Sequence, residues 1–260
     1  MRKILILGGS GFIGSHLGNL LKKKYEVVNF TKENKVSELN NSDIDYVINL
    51  CASKPTSNFD VSLEKNVSLP LIYLKELLRN RNKILRWIQV GSYFELQIEL
   101  GRTDLYSIHK KIFRTLITAI SKTTPQLSLH SIILPHVTSL FEPGEPKSRI
   151  FPTIINANKS KIKTSFSNGD QFLPILHVND ACAAIELALT SKQELSAATP
   201  VWYPSVKELI QKCVVNIDLI EVKEDLNPID TLFKKVIFPP KVTGFNPQIS
   251  AKAIIKSLNQ

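Results

Sequence analysis

The amino terminus of the chain carries a glycine-rich turn between an apolar run and an amphipathic run. Residues 3–7, KILIL, form a continuous apolar segment of the kind that is buried on both faces of a parallel sheet. Gly8, Gly11 and Gly14 follow at intervals of three, and apolar residues at helical spacing come directly after them. Glycines at such a junction permit a tight turn and let a pyrophosphate approach the helix amino terminus. The turn therefore predicts a Rossmann-like, doubly wound α/β fold that binds a dinucleotide.

The composition is that of a globular protein and excludes several other classes. The 260 residues suffice for one large α/β domain, and 43% of them are hydrophobic. The net charge of +10 comes mostly from scattered lysines, so we expect a solvated basic surface and no nucleic-acid partner. No apolar run approaches the ~18 residues of a spanning helix, and MRKILILGG lacks the cleavage pattern of a signal peptide. We expect a cytoplasmic protein without membrane insertion.

The three cysteines, Cys51, Cys182 and Cys213, lie far apart in apolar surroundings. They lack the spacing of a disulfide framework or of a zinc site. We expect buried thiols in a reducing compartment and no metal site.

The end of the second predicted strand bears on the choice of nicotinamide cofactor. The segment YEVVNF ends near Phe30, where an acidic residue would bind the ribose 2′-hydroxyl of NAD. Thr31 and Lys32 stand there instead, with Glu33 one place later, and they are placed to contact a 2′-phosphate. The sequence therefore favours NADP(H), with NAD(H) still possible.

A third apolar strand, residues 46–51, should end at the same edge of the sheet. Open parallel sheets bind ligands beyond the carboxyl ends of their strands, so we expect Leu50, Cys51 and Ala52 to reach the cofactor crevice. A helix is predicted from about residue 63 to residue 79, with Asn66 on its first turns.

The middle of the chain gathers a serine, a tyrosine and a lysine. The apolar run ILRWIQV predicts a buried strand that leaves Ser92 at its carboxyl end. From about Asp104 apolar residues recur every three or four positions, so Tyr106 and Lys110 lie one turn apart on one helix face. A phenol is a poor acid-base catalyst near neutral pH unless a cation favours the phenolate, and Lys110 is placed to be that cation. Ser92 would hold a carbonyl oxygen to which Tyr106 delivers a proton.

The regular alternation of strands and helices loosens beyond residue 135, where the segment PHVTSLFEPGEPKSR is rich in proline and turn formers. Asn179-Asp180 is predicted as the cap of a later helix. We expect residues 1–135 to form the dinucleotide-binding domain, rejoined by about 170–190. Residues 136–260 would then form mainly a small substrate-binding lobe.

These segments resemble the extended short-chain dehydrogenases/reductases, the NAD-dependent epimerase/dehydratase family, and within it the branch that acts on nucleotide sugars. The matching segments run in the order of the family along nearly the whole chain. They are GGSGFIG at 8–14, INLCAS at 48–53, NVSLPLIYLKELL at 66–78, VGS at 90–92, YSIHK at 106–110, EPGE at 142–145, LHVNDACAAI at 176–185 and GFNP at 244–247.

The resemblance implies a role for each matched residue. Ser92 would bind the substrate carbonyl or hydroxyl, Tyr106 would act as acid-base, and Lys110 would bind the nicotinamide ribose and tune the pKa of the tyrosine. It also suggests a homodimer through the helices that begin near Asn66 and Tyr106. The expected cofactor contacts are Gly8, Gly11, Phe12, Ile13, Gly14, Thr31, Lys32, Leu50, Cys51, Ala52, Asn66, Tyr106, Lys110, Pro135 and His136, and the expected substrate contacts are Ser92, Tyr93 and Ser139.

The chain departs from the family pattern in the substrate segments. Only 13 residues separate Ser92 from Tyr106, fewer than is usual in this branch. The arginine often found before the LHV-like strand is replaced by Phe172-Leu173-Pro174. The residues that would hold the nucleotide diphosphate, and the identity of the sugar, therefore do not carry over.

Three functions follow from these patterns. The favoured one is NADPH-dependent reduction of a nucleotide-linked 4-keto-(6-deoxy) sugar, with Tyr106 as the proton donor. The alternatives are a nucleotide-sugar 4-epimerase with tightly bound NAD and a non-catalytic, dinucleotide-binding redox sensor. Dehydration is disfavoured, because residues 92–95 do not supply the Asp-Glu couple that dehydratases usually carry beside the serine-equivalent.

Overall fold

A six-stranded sheet forms the centre of the computed structural model, which describes residues 1–30, 34, 36–39, 43–53, 58–79, 81–139, 145–160, 164–166, 169–214, 220–222 and 235–258. Its strands are β1 (Lys3–Leu7), β2 (Glu26–Phe30), β3 (Tyr46–Asn49), β4 (Leu85–Ser92), β5 (Leu127–Leu134) and β9 (Leu195–Ala197). They lie in the order β2-β1-β3-β4-β5-β9, and every neighbouring pair is parallel. The predicted Rossmann-like parallel sheet is confirmed.

Helices and two small sheets complete the described structure. The small sheets pair β6 (His136–Thr138) with β8 (Ile175–His177), and β7 (Thr164–Phe166) with β10 (Ile220–Val222). The α-helices are α1 (Phe12–Leu21), α2 (Phe59–Leu63), α3 (Leu69–Leu78), α4 (Phe94–Gln97), α5 (Leu105–Thr123), α6 (Ile150–Ser160), α7 (Val178–Ala188), α8 (Val206–Cys213) and α9 (Ala251–Leu258), with a π-helical turn at Glu64–Ser68 and 3₁₀ turns at Val36–Leu39 and Ile98–Leu100.

The two faces of the sheet explain why β1 reads as an unbroken apolar run. Side chains alternate between the faces of a strand. Ile4 and Ile6 pack into a core shared with α1 and α7, whereas Leu5 and Leu7 pack into a second core shared with α3 and α5. Both faces of β1 are therefore buried, as expected for a parallel sheet covered by helices on each side.

The chain reverses its direction across the sheet between β1 and β3. It passes from β1 to β2 on one side, and β3 then pairs with β1 on the other side. In open α/β sheets the ligand crevice lies beyond the carboxyl ends of the strands at such a switch point. The fold thus places the glycine turn after β1 beside the loop after β3.

A third core lies under the carboxyl-terminal elements. It joins Phe151 of α6, Leu209 of α8 and Ile254 of α9 to Tyr93 and Ile133 at the end of the main sheet. The division into two domains at residue 135 stays a prediction.

Two local predictions need correction. The third strand ends at Asn49, two residues early, because the backbone turns there and the Cys51 N–H donates to Asn49 Oδ1. His177, and not Asn179-Asp180, caps α7, with its ring accepting the Asn179 N–H. Asp180 instead accepts the backbone N–H groups of residues 248 and 249 and ties the tail to α7.

Within the described ranges, no helix is long and apolar enough to cross a membrane. No set of three or more His, Cys, Asp or Glu side chains in those ranges is grouped to hold a metal ion. All three cysteines are free thiols.

Candidate active site

One cavity of about 650 Å³ opens at the carboxyl edge of the main sheet, at the switch point. It brings together the glycine turn, the loop after β3, the end of β4, the start of α5 and the segment that follows β5. The lining residues are Gly8, Gly11, Phe12, Ile13, Gly14, Leu50, Ala52, Ser53, Val90, Gly91, Ser92, Tyr93, Phe94, Tyr106, Lys110, Leu134, Pro135, His136, Val137, Pro146, Ser148 and Arg149.

The glycine turn forms an anion-binding cradle in this cavity. Helix α1 begins after Gly11 without a side-chain cap, so the N–H groups of its first turn have no side-chain partner at the cap. A Cβ on Gly14 would lie 2.5 Å from Gly8 O and 2.8 Å from Gly9 Cα, which only a glycine avoids. The free N–H groups and the helix dipole favour a phosphate at this point. The cradle therefore fits the pyrophosphate of a dinucleotide.

The loop after β3 contributes two predicted residues directly and one indirectly. Leu50 and Ala52 line the cavity, whereas Cys51 does not, and burial raises the pKa of its thiol to about 11. The Cys51 carbonyl accepts a hydrogen bond from Lys110 Nζ at 3.3 Å. Cys51 therefore positions Lys110 through its backbone.

Asn66 lies behind this loop rather than in the cavity. It sits in the π-helical turn, fully buried, and its Nδ2 donates to Ser53 Oγ at 2.9 Å and to the Ser62 carbonyl at 2.8 Å. Its Oδ1 accepts the Ser53 N–H at 3.3 Å. Because Ser53 lines the cavity, Asn66 shapes the crevice from the second layer and is not placed for the cofactor contact that was predicted.

Ser92 and Tyr106 meet in the cavity wall. Ser92 is the last residue of β4, and Tyr106 is the second residue of α5, whose amino terminus is fixed by the Asp104 carboxylate accepting the Ser107 N–H at 3.0 Å. The Ser92 hydroxyl lies close enough to the Tyr106 phenol to lower its pKa, and both residues line the cavity. The strand end and the helix start thus place both side chains beside the cradle, as the sequence spacing predicts.

The phenol of Tyr106 holds its proton firmly. Burial is the main cause and raises its pKa from 10 to about 12, and the charge of Glu95 raises it further. The Ser92 hydroxyl and the guanidinium of Arg149 lower the pKa in part. Among the charged groups that act on the phenol, Arg149 is the cation that lowers its pKa, and the predicted role of Lys110 in tuning this pKa stays a prediction.

Lys110 lines the cavity but is mostly buried, with 4% of its surface exposed. Its Nζ donates to the Val90 carbonyl at 3.0 Å in addition to the Cys51 carbonyl. Burial lowers the pKa of Lys110, and the charge of Glu95 opposes that effect. Lys110 therefore links the ends of β3 and β4 next to the tyrosine.

The family is identified by a match over most of the chain. The model of the NAD-dependent epimerase/dehydratase family matches residues 4–199. The chain belongs to this family. The resemblance predicted from the sequence segments is confirmed.

Individual relatives share sequence or fold with this family member. The CDP-abequose synthase of Yersinia pseudotuberculosis is 28% identical over an alignment that covers 86% of this chain and 85% of that protein. The structure of the Thermus thermophilus UDP-glucose 4-epimerase with NAD has a TM-score of 0.78 at 15% identity and covers 99% of this chain and 98% of that one. The structure of RMD from Pseudomonas aeruginosa with NADPH has a TM-score of 0.71 at 15% identity, with 100% of both chains covered. At these identities the two structures show the fold alone.

An arginine that the sequence patterns of the family did not single out lines the cavity of this member. Arg149 Nη1 donates to the Val137 carbonyl at 2.6 Å and lies 3.4 Å from Glu145 Oε1. Its guanidinium carbon is 5.8 Å from the centre of the Phe12 ring. The side chain remains 27% exposed toward the cavity. Arg149 thus adds a positive charge between the glycine turn and Tyr106.

The remaining predicted contacts divide into those in the cavity and those outside it. Tyr93, Pro135 and His136 line it, and burial holds the pKa of His136 well below its usual range, so that its ring is neutral. Ser139 does not line it, because its N–H donates to Glu145 Oε2 at 2.8 Å. Thr31 and Lys32 lie outside the described residues.

Proposed function

We propose that this protein is an NADPH-dependent reductase of a nucleotide-linked 4-keto-(6-deoxy) sugar. The observation that carries the proposal is the Ser92–Tyr106 pair in the cavity wall, with the phenol in its protonated form near neutral pH. A reductase needs a proton donor for the alkoxide that forms from the ketone. An epimerase uses the same serine, tyrosine and lysine, so the pair supports ketone–alcohol chemistry and the experiment below separates the two functions.

The residues of the cavity have distinct roles in this reduction. The first turn of α1, with Gly14 in the cradle, would hold the cofactor pyrophosphate. The Ser92 hydroxyl would hold the ketone oxygen, and Tyr106 would transfer its proton to that oxygen. Lys110 keeps the strand ends in register beside the tyrosine. When bound, the cofactor supplies the hydride.

The structure of α4 supports reduction over dehydration. A dehydratase needs a free carboxylate beside the reacting sugar, and Glu95 is the nearest candidate after Ser92 in the sequence. Both of its oxygens are engaged, one by the Ser92 N–H and the other by Arg114 Nε, each at 2.8 Å. Glu95 is also absent from the cavity wall that the described residues form.

The choice of NADPH rests on the end of β2. No acid follows directly at Thr31-Lys32, and a threonine and a lysine suit a 2′-phosphate. The proposal predicts a higher kcat/KM with NADPH than with NADH, and the reverse order would assign NAD(H). The substrate class rests on the family and on the relative named for the synthesis of a CDP-linked sugar.

The test uses purified protein, NADPH or NADH, and a panel of nucleotide-linked 4-keto sugars that includes a CDP-linked one. We expect loss of the absorbance of reduced nicotinamide with at least one ketone. Absence of oxidation with every ketone, together with interconversion of 4-epimers, would assign the protein as an epimerase. Cofactor binding without turnover of any sugar would favour the redox sensor.

We also propose a homodimer through an apolar patch on α2 and α5. Phe59 is 54% exposed and Ile112 is 47% exposed. The Phe59 ring lies 5.3 Å from the ring of His109, which is one helical turn before Ile112. Grouped, exposed apolar side chains of this kind mark protein interfaces.

Replacement of Ile112 by glutamate is expected to convert the dimer into a monomer, because a charge would be buried at the contact. Sedimentation velocity measures the change. The control is Ile84→Glu, at a 66% exposed apolar residue just before β4, which should leave the dimer intact. A dimeric Ile112→Glu protein, or a monomeric unmodified protein, would contradict the proposed interface.

A further inference from the structure

Glu95 is a buried carboxylate that contacts the active site from behind. Only 1% of its surface is exposed. Its Oε1 accepts the backbone N–H of Ser92, and its Oε2 accepts Nε of Arg114, which lies on the next turns of α5. Glu95 thus connects the strand end that carries Ser92 to the helix that carries Tyr106.

The backbone of β4 makes room for this carboxylate. A Cβ at residue 91 would lie 2.6 Å from Glu95 Oε1, so any residue other than Gly91 would push the carboxylate away from the Ser92 N–H. Gly91 itself lines the cavity, so the carboxylate lies directly behind the cavity wall. The contact is therefore built into the strand as well as into α4.

A carboxylate is a costly group for a purely structural hydrogen bond. Burial of an ionised group is unfavourable unless a partner compensates it, and Arg114, 19% exposed, is that partner. A neutral acceptor would satisfy the Ser92 N–H without this cost. The hydrogen bond to Ser92 alone therefore does not explain why residue 95 carries a charge.

The charge of Glu95 is one of several that act on the pKa of Tyr106. Glu95 and Asp104 raise the pKa of the phenol, whereas the Ser92 hydroxyl and Arg149 lower it. The charge of Glu95 also raises the pKa of Lys110, against the effect of burial. Among these groups Glu95 touches Ser92 directly and acts on both titratable side chains.

We propose that Glu95 is a positioning residue of the reduction, which fixes Ser92 through the backbone N–H of Ser92 and ties this strand end to the helix of Tyr106 through Arg114. The inference rests on the proposed function. Glu95 does not touch the substrate and acts through its two neighbours. Arg114 holds the carboxylate in place for both tasks.

Two variants separate the effect of the Glu95 contact to Ser92 from the effect of the Glu95 charge. Glu95→Gln keeps an acceptor oxygen for Ser92 but removes the charge, so the pKa of Tyr106 should fall. Glu95→Asp keeps the charge but is one methylene shorter, so the Ser92 contact should weaken while the pKa of Tyr106 stays near that of the unmodified protein. Arg149→Gln is the opposite control, because loss of the cation should raise the pKa of Tyr106.

The first readout does not require catalysis. Carbon-13 labelling of the tyrosine ring at the carbon that bears the hydroxyl reports ionisation by NMR, and Tyr106→Phe assigns the resonance among the six tyrosines. From pH 7 upward, the resonance in Glu95→Gln should begin to move at lower pH than in the unmodified protein, and that in Arg149→Gln at higher pH. Identical titrations in all three proteins, or shifts of both variants in one direction, would overturn the inference.

The second readout is kinetic. Oxidation of the product alcohol needs the phenolate, so a drop of one pKa unit raises the phenolate fraction about tenfold at a fixed pH well below the pKa. In Glu95→Gln this oxidation should therefore rise at lower pH, whereas Glu95→Asp should lose kcat about tenfold without a change of the pH profile. If both variants kept the pH profile and the kcat of the unmodified protein, the positioning role would be rejected and the reductase assignment would remain intact. Opposite NMR shifts in a protein that reduces no ketone would reject the proposed function and leave the electrostatic balance standing.

Discussion

Replacement of Tyr106 by phenylalanine is expected to lower kcat for ketone reduction by about 10²-fold or more. The substitution removes the proton that the alkoxide must receive and leaves the ring in place. The ring packs edge-on against Phe94 with centroids 6.2 Å apart, a contact that phenylalanine preserves. Cofactor affinity should change little, since the cradle at Gly14 is untouched. Single-turnover kinetics with NADPH measure the loss, and fluorescence titration measures the affinity.

Tyr93→Phe is the matched control for this experiment. Tyr93 lines the same cavity and is also buried, but the structure shows no Ser92 partner for its hydroxyl. Its loss should cost less than about tenfold, because a binding hydroxyl contributes less than a proton donor. Equal losses in the two variants would mean that Tyr106 is a packing residue and would remove the basis of the proposed reduction.

Replacement of Gly14 by alanine is expected to weaken NADPH binding at least tenfold. The new Cβ would lie 2.5 Å from the Gly8 carbonyl oxygen, and both are backbone-fixed, so the glycine turn must open. Overpacking of this kind also costs about 1–3 kcal/mol of stability. Cofactor titration and urea unfolding measure the two effects.

Gly18→Ala on the same helix provides the comparison. A Cβ at residue 18 would meet Asn29 Oδ1 at 3.5 Å, an ordinary contact. Cofactor affinity should remain unchanged, and stability should rise by up to about 1 kcal/mol, because alanine is the better helix former. If Gly14→Ala binds NADPH as tightly as Gly18→Ala, the glycine turn does not hold the pyrophosphate.

The parts of the site that follow from local sequence patterns were predictable. The apolar run at residues 3–7 and the glycine spacing determine the turn after β1, because few other conformations satisfy both. Ser92 at a strand end and Tyr106 in the first turn of a helix follow from periodicity in the same way. Their meeting in one cavity then follows from the parallel order of the sheet.

The parts that depend on tertiary packing were not predictable. Arg149 comes from a segment rich in turn formers, where no periodicity indicates which way a side chain points. Cys51 lies between two cavity residues in the chain, yet it contributes only its carbonyl, to Lys110, and Asn66 binds Ser53 from behind the cavity wall. The direction of the Tyr106 pKa depends on burial and on Glu95, neither of which has a local sequence signal.

The most direct test of the central claim is the fate of the transferred hydride. We propose to incubate the protein with the ketone that it turns over and NADPH deuterated at the transferable position, and to analyse the sugar by mass spectrometry and NMR. The reductase account predicts deuterium at carbon 4 of the sugar alcohol, with one cofactor oxidised for each sugar formed. A sugar alcohol that carries no deuterium at carbon 4, or a cofactor that shows no net oxidation, would contradict it.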